Sequence, residues 1–212
     1  MKKIFYIQNM FWQQDAKEKM PDVSFIPALL RRRLTGVEKI GLFLAHQWEP
    51  LPEDCRIIFA SRFGEWQQTI DLIHQFFRDR EMSPAGFSHS VHNAMPGLLS
   101  ILSKNKASYT SIAAQSETIE SGLVEAFCAP SPVLLIYAEE ETPEFYRSKF
   151  SDPFLGHGFS LVVSEQELPG AQKILVEIKN QEQSALTFQE LYRFFQKGDL
   201  LSTRYLTLRK TE

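Results

Sequence analysis

Two histidines that lie three residues apart, His89 and His92, are the side chains best suited to transfer a proton near neutral pH. Their spacing could place both on one helical face. The Ser-Pro pair at 83–84 before them and Asn93 after them favour a loop instead. We therefore interpret Ser90, His92 and Asn93 as side chains that hydrogen-bond a neighbouring loop, and a catalytic base remains the alternative role of His92.

The other reactive side chains form no metal or redox pattern. Cys55 and Cys128 lie far apart and outside any Cys-x-x-Cys or Cys/His ligand spacing, so we expect both thiols to be reduced and buried. The acidic run at 139–141 follows an apolar stretch, and we predict that it lies in a solvated loop rather than at a metal ion. We expect no metal and no cofactor.

Length and composition are those of a globular chain. The 212 residues suffice for one substantial domain and are few for two, so we predict a single domain over residues 1–212. Hydrophobic residues make up 43% and charged residues 23%, a balance without a disorder signature. The net charge of −3 gives no reason to expect a nucleic-acid partner, and the one basic run is Arg31 to Arg33.

The N-terminal segment predicts neither a signal peptide nor a membrane anchor. Its start, Met1 to Ile7, is basic and then apolar, but Gln8 and Asn9 interrupt the apolar stretch that a signal peptide needs. No segment approaches the roughly 20 apolar residues of a membrane span. We expect a cytoplasmic protein.

The apolar pattern predicts the elements that position these side chains. Continuous apolar runs predict strands at 4–7, 56–60, 133–137, 159–163, 174–178 and 205–208. Apolar residues at every third or fourth position predict helices at 27–34, 37–44, 66–77, 98–102, 119–126 and 188–195. Strands that alternate with helices indicate an α/β fold, in which helices cover both sides of the strands.

Three stretches of the chain together resemble the short β-ketoacyl synthase-like proteins found with aryl-polyene and related fatty-acid-type synthases. They are residues 59–65 (FASRFGE), residues 83–94 (SPAGFSHSVHNA) and residues 110–126. Their order and spacing also match, and the middle motif is the most specific. The resemblance extends from about Phe25 to about Tyr137.

This resemblance implies a fold and a chemistry. Full condensing enzymes of the superfamily consist of two similar α/β halves in a five-layered thiolase-like fold, and this chain has the length of one half. The expected fold is therefore a single half with a mixed sheet and helices on both faces. The missing half normally supplies two catalytic histidines. Claisen condensation also needs a thiolate to carry the acyl chain and hydrogen-bond donors to stabilise the enolate.

The residue at the expected nucleophile elbow is not cysteine. When residues 122–126 are matched to the helix that follows the family's nucleophile, the cysteine position falls at Ser116, or at Gln115 with a one-residue slip. A serine hydroxyl needs a positioned base, and no His or Lys lies beside Ser116 in the sequence. Chain-length-factor subunits of ketosynthase heterodimers similarly replace this cysteine, often with glutamine. We therefore predict a degenerate elbow and no catalytic residue.

The leading hypothesis is a noncatalytic, chain-length-factor-like subunit that assists a full-length ketosynthase in fatty-acid, polyketide or aryl-polyene type biosynthesis. By analogy with related dimers, Phe87, Met95, Ile112 and Ile119 could help to close the partner's acyl tunnel. A place in the protein's own core explains each of these residues equally well. The predicted binding or interface residues are Arg62, Phe87, Ser90, His92, Asn93, Ile112 and Ile119.

Two other functions stay open. In the first, the protein is an independent acyltransferase or hydrolase that uses Ser116 as nucleophile and His92 as base. In the second, it is a homodimeric module that binds an acyl-carrier protein, for which Arg31 to Arg33 supply the obvious basic patch. Arg62 is a lesser candidate for a carrier contact, because Arg62 and Glu65 around Gly64 are predicted to form a turn and an ion pair.

Overall fold

One mixed sheet organises the part of the chain that the computed structural model describes, residues 1–13, 21–51, 54–150, 155–180 and 182–211. Within those residues its strands are Lys2–Gln13 (β1), Arg56–Ala60 (β2), Tyr109–Ile112 (β3), Val133–Glu139 (β4), His157–Ser164 (β5), Gln172–Ile178 (β6), Leu200–Ser202 (β7) and Leu206–Lys210 (β8). Their order across the sheet is β3-β2-β4-β5-β1-β6-β8-β7. β2 runs parallel to β3 and β4, and every other neighbouring pair is antiparallel.

Helices connect these strands. They are Ala28–Arg31 (α1), Gly36–His46 (α2), Trp66–Asp79 (α3), Pro84–Ser88 (α4), Ala94–Ser103 (α5), Thr118–Cys128 (α6), Glu144–Arg147 (α7) and Phe188–Lys197 (α8). A short 3-10 turn, Gln115–Glu117, leads directly into α6. No helix in the described ranges is both long and apolar enough to cross a bilayer.

Alternate residues of the central strands contribute to two separate cores. On one face, Ile57 and Leu134 pack among the apolar side chains of α2 and α5. On the other face, Ile58 and Leu135 pack among those of α6 and α8. The strand β4 is buried along its whole length, which explains why its sequence is continuously apolar rather than alternating.

Two helices begin at capping boxes that the sequence encodes as Thr-x-x-Glu. At α2, the Glu38 backbone N–H donates to Thr35 Oγ1 at 3.1 Å, and the Thr35 N–H donates to the Glu38 carboxylate at 2.9 Å. Thr187 and Glu190 form the same reciprocal pair at α8. Each pair satisfies backbone donors that would otherwise lack a partner at the helix start.

The predicted α/β class, with a mixed sheet and helices on both faces, is confirmed. Every predicted strand and helix is present, although β1 continues to Gln13, and the polar loop predicted before Phe25 lies partly outside the described residues. The strands β3 and β7 were not predicted. Tyr109–Ile112 and Leu200–Ser202 are too short and too polar to form a distinct apolar run, and they become strands by pairing with β2 and β8.

The predictions for the acidic run and for Cys128 were wrong. The acidic run at 139–141 does not form a solvated loop, because Glu139 ends β4 and is only 2% exposed, and Glu140 is also buried. Cys128 ends α6 with an exposed side chain, so only Cys55 of the two cysteines is buried. Burial raises the pKa of the Cys55 thiol to about 11, which keeps it protonated and unreactive at neutral pH.

The helix α6 lies close to the sheet at Gly122. A Cβ atom at this position would come within 3.1 Å of Ala60 Cβ and 3.3 Å of Leu135 Cδ1. Both neighbours are fully buried core residues that cannot move aside easily. A larger side chain would push α6, and the residues just before it, away from β2 and β4.

We predict that Gly122→Val lowers the free energy of unfolding by about 2 kcal/mol or more, because it overpacks this contact. Ser121→Val is the matched control, since it adds the same β-branched side chain at the half-buried neighbouring position. Urea unfolding of the two variants measures the difference. Equal losses would show that helix propensity, rather than the close approach, sets the effect.

Candidate functional site

The 3-10 turn Gln115–Glu117 forms a sharp bend between β3 and α6. Gln115 has a left-handed backbone with a φ of 52°, which is uncommon for a residue other than glycine. Thr118 holds the bend, because its Oγ1 accepts the Ala114 N–H at 2.9 Å and donates to the Gln115 carbonyl at 2.8 Å. The side chains of Gln115 and Ser116 are both exposed. The bend therefore presents an amide and a hydroxyl at the positions where the sequence predicted a degenerate elbow.

The C-terminal hairpin β7–β8 fixes the start of α6. The buried carboxylate of Glu120 accepts from the Thr203 hydroxyl and from the Leu206 N–H, the latter at 3.1 Å. Glu117, one turn earlier, forms an ion pair with Arg204. These contacts join residues more than eighty positions apart in the chain, so the last strands of the sheet help to position the bend.

Glu139 organises the turn that follows β2. Its carboxylate accepts from the Ser61 hydroxyl at 3.2 Å, from the Arg62 N–H and from the Phe63 N–H at 3.4 Å. Burial raises the pKa of Glu139 to about 7, and these donors oppose the rise. The Gly64 N–H donates to Ser61 Oγ at 2.9 Å and completes the turn.

Each of the two histidines is bonded to an element of the fold. His92 Nε2 donates to the Ser61 carbonyl at 2.8 Å, and a Cβ atom on Gly64 would lie 2.7 Å from the His92 ring. His89 Nδ1 lies 2.6 Å from Oε1 of Glu38, whose side chain is fully buried. His92 therefore contacts the turn after β2, whereas His89 joins α4 to α2. No hydrogen bond within the described structure links either ring to the bend before α6.

Three more of the predicted binding residues lie near this turn without forming one site. Ser90 donates its hydroxyl to the Phe87 carbonyl at 2.9 Å, and Asn93 is exposed just before α5. The exposed Arg62 guanidinium lies 4.7 Å from the centre of the Phe63 ring. The ion pair predicted between Arg62 and Glu65 is not formed in the described structure, because the Glu65 side chain is buried.

Four glutamates, Glu38, Glu65, Glu139 and Glu140, are buried around the start of α2 and the turn after β2. Burial raises the pKa of Glu65 to about 9; the Thr35 hydroxyl, which hydrogen-bonds this carboxyl, opposes the rise, and Glu38 and Glu140 add to it. Burial also raises the pKa of Glu140 to about 7, against the donated N–H of Gln67. No set of three or more such side chains in the described residues is arranged to hold a metal ion.

The four apolar residues predicted for a partner's tunnel have different environments. Phe87, on α4, is 56% exposed. Met95 is fully buried against Gly41, and Ile119 lies in the core beneath the sheet. Ile112 is half-buried and packs against that same core. Phe87 is therefore the one of these four that offers most of its side chain to another molecule.

The exposed apolar surface around Phe87 was not predicted. We name residues Trp66–Ser88, which include α3 and α4, the α3–α4 arm. On α3 the side chains of Ile73, Phe76 and Phe77 are exposed, the last by 67%. The sequence signal was present, because the apolar positions of α3 span more of the helix surface than one buried stripe requires. The α3–α4 arm therefore carries several large apolar side chains that the fold itself does not bury.

The sequence matches one protein family over most of its length. The family model described as "Beta-ketoacyl synthase, N-terminal domain" matches residues 7–201. Among proteins with curated descriptions, none matches the sequence. The family match extends well beyond the three motifs and ends within β7.

Solved structures show the same fold. A chain in the complex of the ketosynthase ApeO with its chain length factor ApeC from Xenorhabdus doucetiae has a TM-score of 0.77 and 18% identity, over 98% of this chain and 99% of that one. The ishigamide ketosynthase/chain length factor has a TM-score of 0.55 and 16% identity, over 69% of this chain and 49% of that one. A third similar structure is AntDE:AntF, a type II PKS acyl-carrier protein in complex with its ketosynthase bound to the hexaketide. Its TM-score is 0.63 and its identity 14%, over 86% of this chain and 71% of that one. These likenesses confirm the ketosynthase-like fold.

We predict that in Glu65→Gln the free energy of unfolding falls less steeply with rising pH than it does in the wild type. The folded protein keeps a proton on Glu65 between its ordinary pKa of 4.5 and about 9, whereas the unfolded chain releases it, so the free energy of unfolding falls as pH rises through this window. One such proton contributes about 1.4 kcal/mol per pH unit. A glutamine cannot ionise, so the variant should be the more stable protein at pH 8 in urea unfolding.

The exposed Glu167→Gln, which removes a carboxyl from the surface, is the control and should keep the wild-type slope. Glu139 and Glu140 will still lower the stability of both variants up to about pH 7. Parallel curves for wild type and Glu65→Gln between pH 7 and 8.5 would show that Glu65 is ionised in the folded protein.

Proposed function

The chain belongs to the family of β-ketoacyl synthase N-terminal domains, and on that premise we propose that it is a noncatalytic, chain-length-factor-like subunit of a ketosynthase. In this role it assists carbon-chain extension in fatty-acid, polyketide or aryl-polyene type biosynthesis. The observation that carries the proposal is the bend before α6, which has the shape of an elbow but holds Gln115 and Ser116 in place of a cysteine. We propose that residues 1–212 form one domain and act in the cytoplasm.

The chemistry of the bend supports a role without catalysis. A glutamine amide cannot attack a thioester, and a serine hydroxyl needs a base within hydrogen-bond reach. The sequence offered His92 as that base, but its Nε2 donates to the Ser61 carbonyl. No hydrogen bond in the described residues joins His92 to Ser116. A condensing enzyme would need both a nucleophile and its activating group, so we assign the condensation to a partner.

The surface of the molecule supports a protein partner. The strand β3 is the last strand on its side of the sheet, so the backbone groups along its outer edge face away from β2. An edge of this kind can accept a strand from another chain. The α3–α4 arm adds the exposed rings of Phe76, Phe77 and Phe87. We propose that a full-length ketosynthase covers this arm and the β3 edge.

Two of the similar structures are assemblies of a ketosynthase with another protein. One is a ketosynthase in complex with its chain length factor, and another contains an acyl-carrier protein with its ketosynthase. A carrier-protein contact is the second candidate here. Arg32 and Arg33 are exposed, and none of the ion pairs in the described structure involves Arg31, Arg32 or Arg33. Such a patch suits the acidic surface of a carrier.

We predict that the chain copurifies in equal amounts with a full-length ketosynthase encoded beside it, and that the pair condenses acyl units when the chain alone does not. Phe77→Arg combined with Phe87→Arg should weaken the association at least tenfold, because two charges would be desolvated in the interface. Leu200→Arg, at the opposite edge of the sheet, is the control and should bind normally. Binding that survives in the double variant would exclude the arm as the interface.

We also predict that the purified chain forms no covalent acyl intermediate. Incubation with a labelled acyl thioester or a phosphonate probe, followed by intact-mass analysis, should give an unmodified chain. The partner ketosynthase is the positive control in the same assay. An added mass that disappears in Ser116→Ala would identify an independent acyltransferase or hydrolase and refute the noncatalytic role.

A further inference from the structure

A cavity of about 590 Å³ opens at the end of the sheet opposite the bend, where β4 begins and β5 ends. We name it the Trp48 cavity, after the indole that forms part of its wall. Its volume lies within the range of about 300–1,000 Å³ that is typical of small-molecule sites. The proposed ketosynthase function does not use this region, because the bend and the α3–α4 arm follow the other ends of the parallel strands.

The aromatic wall of the cavity is held in place. Trp48 Nε1 donates to Ser160 Oγ at 2.8 Å, and that hydroxyl donates to the Leu44 carbonyl at 3.0 Å. The Phe11 ring packs edge-on against the indole, with 5.0 Å between the ring centres. Ser160 is fully buried, so this chain of hydrogen bonds is shielded from water. The wall is therefore formed before any ligand arrives.

The polar part of the lining consists of amides and hydroxyls. Gln8 and Gln47 each donate their side-chain N–H to a backbone carbonyl at 3.1 Å, which directs the amide and leaves its carbonyl oxygen as an acceptor. Ser131 donates to Ser164 at 3.3 Å. The Gln166 N–H also donates to Ser164 Oγ, at 2.9 Å. These bonds leave each glutamine a carbonyl oxygen and a second N–H, and they leave Ser164 its hydroxyl hydrogen, so the site suits a ligand that both accepts and donates hydrogen bonds.

The charge of the lining excludes anionic ligands. Among the described residues that line the cavity, Glu49 alone has an ionisable side chain, and it pairs with His46 Nδ1 at 2.8 Å. No lysine or arginine of the described lining is available to bind a phosphate or a carboxylate. An anionic ligand would lose its hydration here without a compensating partner, and the Glu49 carboxylate already has His46 as its partner.

We propose that the Trp48 cavity binds an uncharged amphiphile. An apolar chain or ring lies against Trp48, Phe11 and Leu168, and hydroxyl groups of the ligand accept from and donate to the glutamine amides and accept from the Ser164 hydroxyl. The binding is independent of the bend before α6 and of any ketosynthase partner. The site is thus a second binding function of the chain rather than a part of the condensation machinery.

Octyl glucoside, below its micelle concentration, is a suitable probe, because it combines an uncharged hydroxylated head with an apolar chain. The sequence contains three tryptophans, which give separate indole N–H signals in a ¹H–¹⁵N spectrum of the full chain. Trp48→Phe assigns the Trp48 signal. The expected result is a saturable shift of this signal, while the signals of Trp12, beside α8, and Trp66, in the α3–α4 arm, stay in place.

Matched ligands test each part of the proposal. Octanoate, with a chain of the same length but a carboxylate, should bind at least tenfold more weakly. Methyl glucoside and 1-octanol separate the head from the chain, and each should also bind more weakly than octyl glucoside. The proposal is overturned if no indole signal shifts or if Trp66 responds in place of Trp48. It is equally overturned if octanoate or 1-octanol binds as tightly as octyl glucoside.

Discussion

The two carboxylates buried at the end of β4, Glu139 and Glu140, are the constraint on which the functional region depends. Removing an ionised carboxylate from water costs several kcal/mol unless hydrogen-bond donors replace the lost hydration. The backbone after β2 supplies these donors to Glu139, and the first turn of α3 supplies one to Glu140. The turn therefore has one arrangement that satisfies both glutamates. The direction of α3, the contact with His92 and the position of the α3–α4 arm all follow from that arrangement.

The central part of the fold was predictable because β2, β4 and β5 are buried on both faces and so consist mostly of apolar residues. The strand β3 was not, since an edge strand such as Tyr109–Ile112 owes its structure to one neighbour and carries little pattern of its own. The acidic run was misinterpreted for a related reason. The sequence shows three charges in a row. The backbone N–H groups that stabilise Glu139 and Glu140 in the buried state come from residues about seventy-five positions away.

The candidate site was predictable in its location but not in its contacts. The motifs placed the bend near Gln115, whereas the left-handed backbone of this residue and its support by Thr118 are properties of the folded chain. Such a backbone costs on the order of 1 kcal/mol or more outside glycine. The chain keeps this shape without a thiolate to use it. A surface that presents the shape alone is consistent with a subunit that completes another protein's site.

The position of β1 determines the order in which the molecule can be assembled. Residues 2–13 are synthesised before every other strand of the described sheet, yet their strand lies between β5 and β6, which begin at His157 and Gln172. Until β5 and β6 have been synthesised, β1 has no partner on either hydrogen-bonding edge, and the sheet cannot close. Pairing at such long sequence separation folds slowly and leaves strand edges open to wrong partners. Closure of the sheet is thus a late step of synthesis, which must wait for β6 to leave the ribosome.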